Sequence, residues 1–294
     1  MIGSGRRAGK PRLELEQFRL LRDLINDAAG LHFDDDSQYL FERRLAERLV
    51  QLECPGFDDY YMLLRFGSRG AAELDEAIER LSTKETYLFR QEYQLASFEQ
   101  EVLPKLHKEL GQRRQLVVWS AGCSTGEEAY TLAIIIHRTG LFEGWDVRVI
   151  GSDLSKRNVA AARRGIYRES SFRTTPAEVR RAYFSETPEG WAVQEQVRRL
   201  CHFAQLNLLD AARAAIVGRV HVVFCRNVLI YFDIGSRKKA IDNFYERLAP
   251  GGYLLLGHSE SLLNLSTAFE LVHLERDLAY RKPLAAWRWD SGAT

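Results

Sequence analysis

VVWSAGCSTGEEAY, residues 117–130, is the stretch whose reading decides the fold. An apolar run from Leu116 to Trp119 ends in small residues and glycine, and two carboxylates, Glu127 and Glu128, follow at once. Leu132, Ala133 and Ile136 then recur at helical spacing. That order reads as a buried strand, a tight loop and a helix start. In an open α/β sheet such a loop lies at the carboxyl edge of the strands, where ligands bind. Gly122 and Gly126 let the backbone approach a ligand closely. Taken alone, the glycines fit any strand-to-helix turn, because short glycine motifs are weak signals.

Three further apolar runs end in polar residues. DVRVIGS, 146–152, delivers Asp153; VHVVFC, 220–225, delivers Arg226 and Asn227; GYLLLG, 252–257, delivers His258, Ser259 and Glu260. A doubly wound sheet aligns all these strand ends along one edge. The acid Asp153 arrives on the order of 30 residues after the glycine loop, the plan of folds that bind a nucleoside cofactor through its ribose. The spacing leaves a dinucleotide and S-adenosylmethionine both open. AGCSTGEE does not supply the G-x-G-x-x-G loop that a nicotinamide oxidoreductase would want.

Charge and composition narrow the partners. With 41 basic and 40 acidic residues the net charge is +1, which argues against bulk nucleic-acid binding. No run of 18 apolar residues occurs, so direct membrane insertion is not expected. The leading MIGSGRRAGKPR carries charge but no apolar core and reads as a tail rather than a signal peptide. Cys54, Cys123, Cys201 and Cys225 form no C-x-x-C pair and have no histidine cluster beside them. Neither a metal site nor a disulfide is expected, and a reducing cytoplasm fits. Cys123 is read as a small loop-filling residue rather than a reactive thiol.

The pattern divides the chain into a helical region over 13–80, a linker and connecting helix over 81–115, and an alternating strand–helix region over 116–284. Phe18, Leu21, Leu24, Ile25 and Ala28 mark a first helix that stops at Gly30. Phe41, Leu45, Leu49 and Leu52 mark a second, after the start signal Asp34–Ser37, and shorter helices are read at Tyr60–Phe66 and Leu74–Leu81. Residues 90–110 read as one more helix. The alternation breaks at about 166–206. There Trp191, Val193, Val197, Leu200, Phe203 and Leu206 read as short strands around turns, a small antiparallel insertion.

Seven stretches in order resemble the CheR family, the chemotaxis receptor methyltransferases. They are LSTKETYLFR at 81–90, WSAGCSTGEEAY at 119–130, GSDLS at 151–155, ARRGIY at 162–167, NLLD at 207–210, CRNVLIYFD at 225–233 and LAPGGYLLLGHSESL at 248–262. The resemblance covers about residues 14–282. It implies a doubly wound S-adenosylmethionine-dependent methyltransferase sheet, with a small all-helical N-terminal domain and a small antiparallel β insertion. It implies methylation of glutamate side chains on the cytoplasmic helices of methyl-accepting chemoreceptors, with S-adenosylhomocysteine as product, by a cytoplasmic monomer. A glutamate is already ionised at neutral pH, so positioning matters more than a general base.

The family's residue roles carry over position by position. Arg90 matches the arginine near the cofactor and the reacting carboxylate, and Tyr231 the tyrosine beside the methyl-transfer centre. Thr86 matches a cofactor-contacting threonine. Glu128 matches the acid that binds the methionine portion, although adjacent Glu127 is not separated from it by sequence. Asp153 matches the acid on the ribose, Asn207 and Leu208 the pair lining the adenine pocket, and Arg226 and Asn227 the pair after the fourth strand. The family often has asparagine where this chain has Lys84. A lysine sits awkwardly near a sulfonium, and it is the one support for an alternative: a degenerate module that binds cofactor or receptor without transferring a methyl. In the family a basic helix meets the acidic receptor helices; here Arg43, Arg44 and Arg48 of the second helix match that role. The family's β insertion can dock a receptor's C-terminal peptide by strand addition. The turn between Phe184 and Trp191 is short for that task.

Overall fold

The computed structural model describes residues 11–83 and 85–284. The expected tail up to residue 10, and Lys84, lie outside them. The chain forms two units: residues up to Thr83 joined by Tyr231–Asp233, and the remainder.

The first unit is helical, with α1 (Leu15–Ala29), α2 (Gln38–Gln51), α3 (Phe57–Phe66) and α4 (Gly70–Leu81). In α1 the backbone N–H of Glu14 donates to Gln17 Oε1 at 3.0 Å, and Gly30 ends the helix at φ 70°. Phe18, Leu21 and Ile25 are fully buried on one face. Phe18 meets Phe41 of α2 edge-on at 5.0 Å. A distant segment completes this unit. His32 N donates to Tyr231 O at 2.8 Å, Leu31 bridges Phe232, and Asn26 Nδ2 donates to Asp233 Oδ2 at 2.8 Å.

The second unit opens with α5 (Glu92–Ser97), a π turn at Phe98–Val102 and α6 (Leu103–Leu110). Then follow β1 (Gln115–Ala121), α7 (Glu127–Arg138), β2 (Asp146–Asp153), α8 (Lys156–Arg164), β3 (Ile166–Tyr167), α9 (Ala177–Tyr183), β4 (Phe184–Thr187), β5 (Gly190–Val193), α10 (Glu195–Arg198) and β6 (Cys201–Gln205). The chain closes with α11 (Ala211–Ala214), β7 (Val220–Cys225), α12 (Ile234–Arg247), β8 (Leu248–Leu256), β9 (Glu270–His273) and β10 (Leu278–Arg281).

The main sheet has the order β6-β2-β1-β7-β8-β10-β9. Its first five strands are parallel, and β10 runs antiparallel to both of its neighbours, β8 and β9. The connections run outward in opposite directions from β1 and from β7, so the topological switch point lies between those two strands. β1 and β7 are buried almost throughout, which is why each reads as an unbroken apolar run.

A second sheet, β3-β5-β4, is antiparallel and forms the insertion. It ends at Val193. The sequence reading extended it to 206, but β6 pairs in parallel with β2, from Val149 opposite Cys201 to Asp153 opposite Gln205. Val197 lies on α10 rather than on a strand.

Candidate cofactor cleft at the strand ends

The loop after β1 is held by its neighbour strand. Gly122 N and Cys123 N both donate to Ser152 O at 2.8 Å, and Ser124 N donates to Asp153 Oδ2 at 2.8 Å. Gly122 lies at φ 80° and Gly126 at φ 96°. A Cβ on Gly122 would overlap the Val228 side chain; one on Gly126 would lie 2.7 Å from Ala162 Cβ. Both positions need glycine for conformation and for space. Cys123 is fully buried, and burial, with Asp153 and the two glutamates nearby, pushes its thiol up, which disfavours the thiolate.

Asp153 ties two loops together. Its Oδ1 accepts from Ser155 N at 2.9 Å and Asn158 Nδ2 at 3.1 Å, while Oδ2 accepts from Ser124 N. Ser155 itself caps α8, accepting from Asn158 N at 2.9 Å. The chain beyond β6 runs alongside: Leu206 N donates to Asp153 O at 2.9 Å. Buried Leu208 follows, its carbonyl held by Asn243 Nδ2 at 2.8 Å, and Asn207 Oδ1 accepts from Leu209 N at 3.0 Å.

The two adjacent glutamates separate by their partners. Glu128 accepts from Ser120 Oγ at 2.7 Å and from Arg226 Nε at 2.7 Å, with side chains 12% and 3% exposed. Arg226 Nη1 also donates to Arg90 O at 2.9 Å and Gln94 Oε1 at 3.3 Å. Arg226, read as a cofactor contact, is thus engaged in a buried ion pair that joins β7, α7 and the segment before α5. Glu127 has no cation partner among these contacts and accepts from two hydroxyls, Thr125 Oγ1 at 2.6 Å and Ser171 Oγ at 3.0 Å. Burial pushes its carboxyl above the ordinary range, against those hydrogen bonds.

The TYLFR segment is pinned by residues the sequence did not single out. Leu88 N donates to Ser171 O at 2.9 Å, and Thr174 Oγ1 donates to Leu88 O at 2.9 Å. Phe89 N donates to Thr131 Oγ1 at 3.0 Å. Arg90 donates to Glu85 O at 3.0 Å and lies 5.7 Å from the Tyr87 ring, while Arg173 lies 3.7 Å from the same ring and pairs with Glu85. Tyr87 therefore carries two guanidiniums. No sequence motif marks Ser171, Arg173 and Thr174; they become visible only once the chain is folded.

Ser124 Oγ and Asn227 Oδ1, both buried in these loops, have no hydrogen-bond partner among the described residues. Their backbones lie at φ 49° and 59°. Unpartnered buried oxygens are uncommon. With Asp153 and the glycine-lined loop beside them, they fit a polar nucleoside ligand at the switch point of the sheet.

The helical unit treats the three arginines of α2 differently. Arg44 Nη1 donates to the carbonyls of Arg80, Leu81 and Ser82 at 3.2, 2.7 and 3.2 Å, capping α4. Arg48 grips buried Glu73 with Nε at 2.9 Å and Nη2 at 2.6 Å, and Tyr60 donates to the same carboxylate at 2.9 Å. The expected basic face thus keeps two of its three arginines for internal partners. Arg43 is exposed, 5.5 Å from the Tyr39 ring. Tyr231 belongs to this helical unit and Arg90 to the other.

Residues 84–278 match the family model described as CheR methyltransferase, SAM binding domain, and residues 16–82 match CheR methyltransferase, all-alpha domain. Chemotaxis protein methyltransferase 2 of Vibrio cholerae is 35% identical over 269 residues, 90% of this chain and 92% of that protein. Chemotaxis protein methyltransferase 1 of Pseudomonas aeruginosa is 33% identical, over 90% of this chain and 97% of its own length. A chemotaxis protein methyltransferase of Borreliella burgdorferi is 31% identical over 84% of this chain and 88% of its own.

Proposed function

This chain belongs to the CheR methyltransferase family, and from that membership we propose that it methylates glutamate side chains of chemoreceptors, using S-adenosylmethionine. The observation that carries the reading is the occurrence of both family domains in one chain whose relatives are named chemotaxis methyltransferases. A cofactor domain alone would fit many acceptors; the all-alpha domain narrows them.

Bound S-adenosylmethionine supplies a methyl group on a sulfonium. Asp153 holds the ribose diol, with Asn207 and Leu208 beside the adenine. Glu128 faces the methionine ammonium, its charge shared with Arg226. Asn227 and Ser124 offer the cofactor buried oxygens that have no partner among the described residues. Thr86 contacts the cofactor, and Arg90 and Tyr231 orient the acceptor carboxylate, whose oxygen is already ionised at neutral pH and needs no base. Arg43 meets the acidic receptor helices. The roles are positional, and a fixed geometry is worth many kcal/mol in a two-reactant step.

The test is methyl transfer from labelled cofactor to receptor-containing membranes. Label on the receptor that base releases as methanol marks a carboxyl methyl ester. Base-resistant label, or none, would overturn the proposal.

A further inference from the structure

Glu260 follows the end of β8 and has no place in the roles above, yet its carboxylate is among the most heavily used acceptors in the molecule. Oε2 accepts from Asn227 N at 2.8 Å and Gly257 N at 2.7 Å; Oε1 accepts from Val228 N at 2.9 Å and Ile230 N at 3.2 Å. Three of these donors belong to the loop after β7. Asn227 at φ 59° turns the successive N–H groups of that loop toward one point, a backbone concavity suited to an anion. The chain fills it with its own carboxylate. Gly257 leaves the room: a Cβ there would lie 2.6 Å from Glu260 Oε2 and 2.8 Å from Asn227 N.

What the carboxylate holds is a loop at the carboxyl edge of the sheet. Arg226, just before the nest, is the buried partner of Glu128. Asn227 carries a buried oxygen without a hydrogen-bond partner among the described residues. Val228 presses its methyls against the position where Gly122 lacks a side chain. One carboxylate from β8 therefore fixes a loop from β7 that in turn bears on the loop from β1.

We propose that Glu260 is a positioning residue for the cofactor: it holds residues 227–230 in the conformation that presents Asn227 and Val228 to the cleft, without touching the cofactor itself. This rests on the reading that the strand-end cleft holds S-adenosylmethionine. Chemistry makes the role specific to a carboxylate. Four N–H donors need acceptor oxygens, and a glutamine would turn its own N–H groups toward some of them.

The experiment compares the wild-type chain with Glu260→Gln and Glu260→Asp. Calorimetric titration with S-adenosylhomocysteine gives affinity, and hydrogen exchange gives the protection of amides 227, 228 and 230. In Glu260→Gln we expect those amides to exchange faster, while amides of β1 and β7 keep their protection, and affinity to fall about tenfold or more, since hydrogen bonds to a charged acceptor are lost. Glu260→Asp keeps the anion and should recover part of both losses. Should Glu260→Gln not fold, the aspartate variant carries the test, with weaker binding alongside faster loop exchange as the supporting result. Faster loop exchange with wild-type affinity, or unchanged exchange, overturns the proposal. A wild-type chain that binds no cofactor would instead overturn the reading beneath it.

Discussion

Asp153 shows how one side chain can serve two purposes. Its oxygens already organise Ser124, Ser155 and Asn158, Oδ1 accepting two of these hydrogen bonds and Oδ2 the third. Asp153→Ala should therefore lose a ribose contact and loosen the loop after β1 together. A hydrogen bond to a charged group contributes about 1.5–3 kcal/mol, so cofactor affinity should fall at least tenfold. Titration of a folded variant that binds as the wild type does would remove Asp153 from the cleft. Arg226 calls for a different measurement, because its loss leaves Glu128 buried beside Ser120 without its cation. Arg226→Met should cost about 3–5 kcal/mol in urea unfolding, and adding Glu128→Gln should restore part of it. A cost under about 1 kcal/mol would mean that water reaches the pair. Sequence could place Glu127 and Glu128 on the first turn of a helix but could not tell them apart. Their difference lies in Arg226 and Ser171, which come from distant segments.

At the scale of elements, β1 and β7 are joined by more than their ladder. Val117 N, inside β1, donates to His221 Nδ1 of β7 at 3.0 Å, which requires a neutral imidazole. Burial, aided by the charge of Arg113, holds the His221 pKa below its ordinary value of 6.5. The unfolded imidazole takes up a proton near pH 6.5 and the folded one only at lower pH. The stabilising contribution is therefore complete above about pH 6.5 and is lost as pH falls through the folded value. Urea midpoints measured from pH 8 to pH 5 should fall in the wild type and fall less in His221→Gln; parallel profiles would rule this out. The arginines of α2 split in the same way. Arg48→Ala should cost about 3–5 kcal/mol by stranding Glu73. Arg43→Ala should stay within about 0.5 kcal/mol while raising the receptor concentration needed for methylation, an effect that salt should diminish. Equal destabilisation by the two variants would contradict this division. β1, β7 and β8 were legible because they are buried almost throughout and their apolar runs are nearly continuous. β6 was misplaced because it is an edge strand, mostly half-exposed, and reads like the hairpins before it. Its preceding helix, Glu195–Arg198, is too short to signal a crossover.

At the scale of the whole molecule, the chain leaves the sheet unit for three residues and returns. Tyr231–Asp233 belongs to the helical unit through His32, Leu31 and Asn26, partners about 200 residues earlier. No local pattern announces that excursion, because CRNVLIYFD reads as one strand end and its loop. Arg90 and Tyr231 belong to different units. That division separates their expected phenotypes. Arg90 sits in the pinned TYLFR segment, donating to Glu85 and facing Tyr87. Arg90→Ala should lower the rate of methyl transfer and weaken cofactor binding as well, because the segment that carries Thr86 loses a fastening. Tyr231 is fixed by its backbone, through the bond from His32 and the neighbouring Leu31–Phe232 bridge, and its side chain is 36% exposed. Tyr231→Phe should leave folding and cofactor affinity intact and slow only the transfer. Single-turnover methylation of receptor membranes at saturating cofactor isolates that step. If Tyr231→Phe transfers at the wild-type rate, its hydroxyl plays no part in orienting the carboxylate; if Arg90→Ala does so too, the acceptor is held by other residues of the chain.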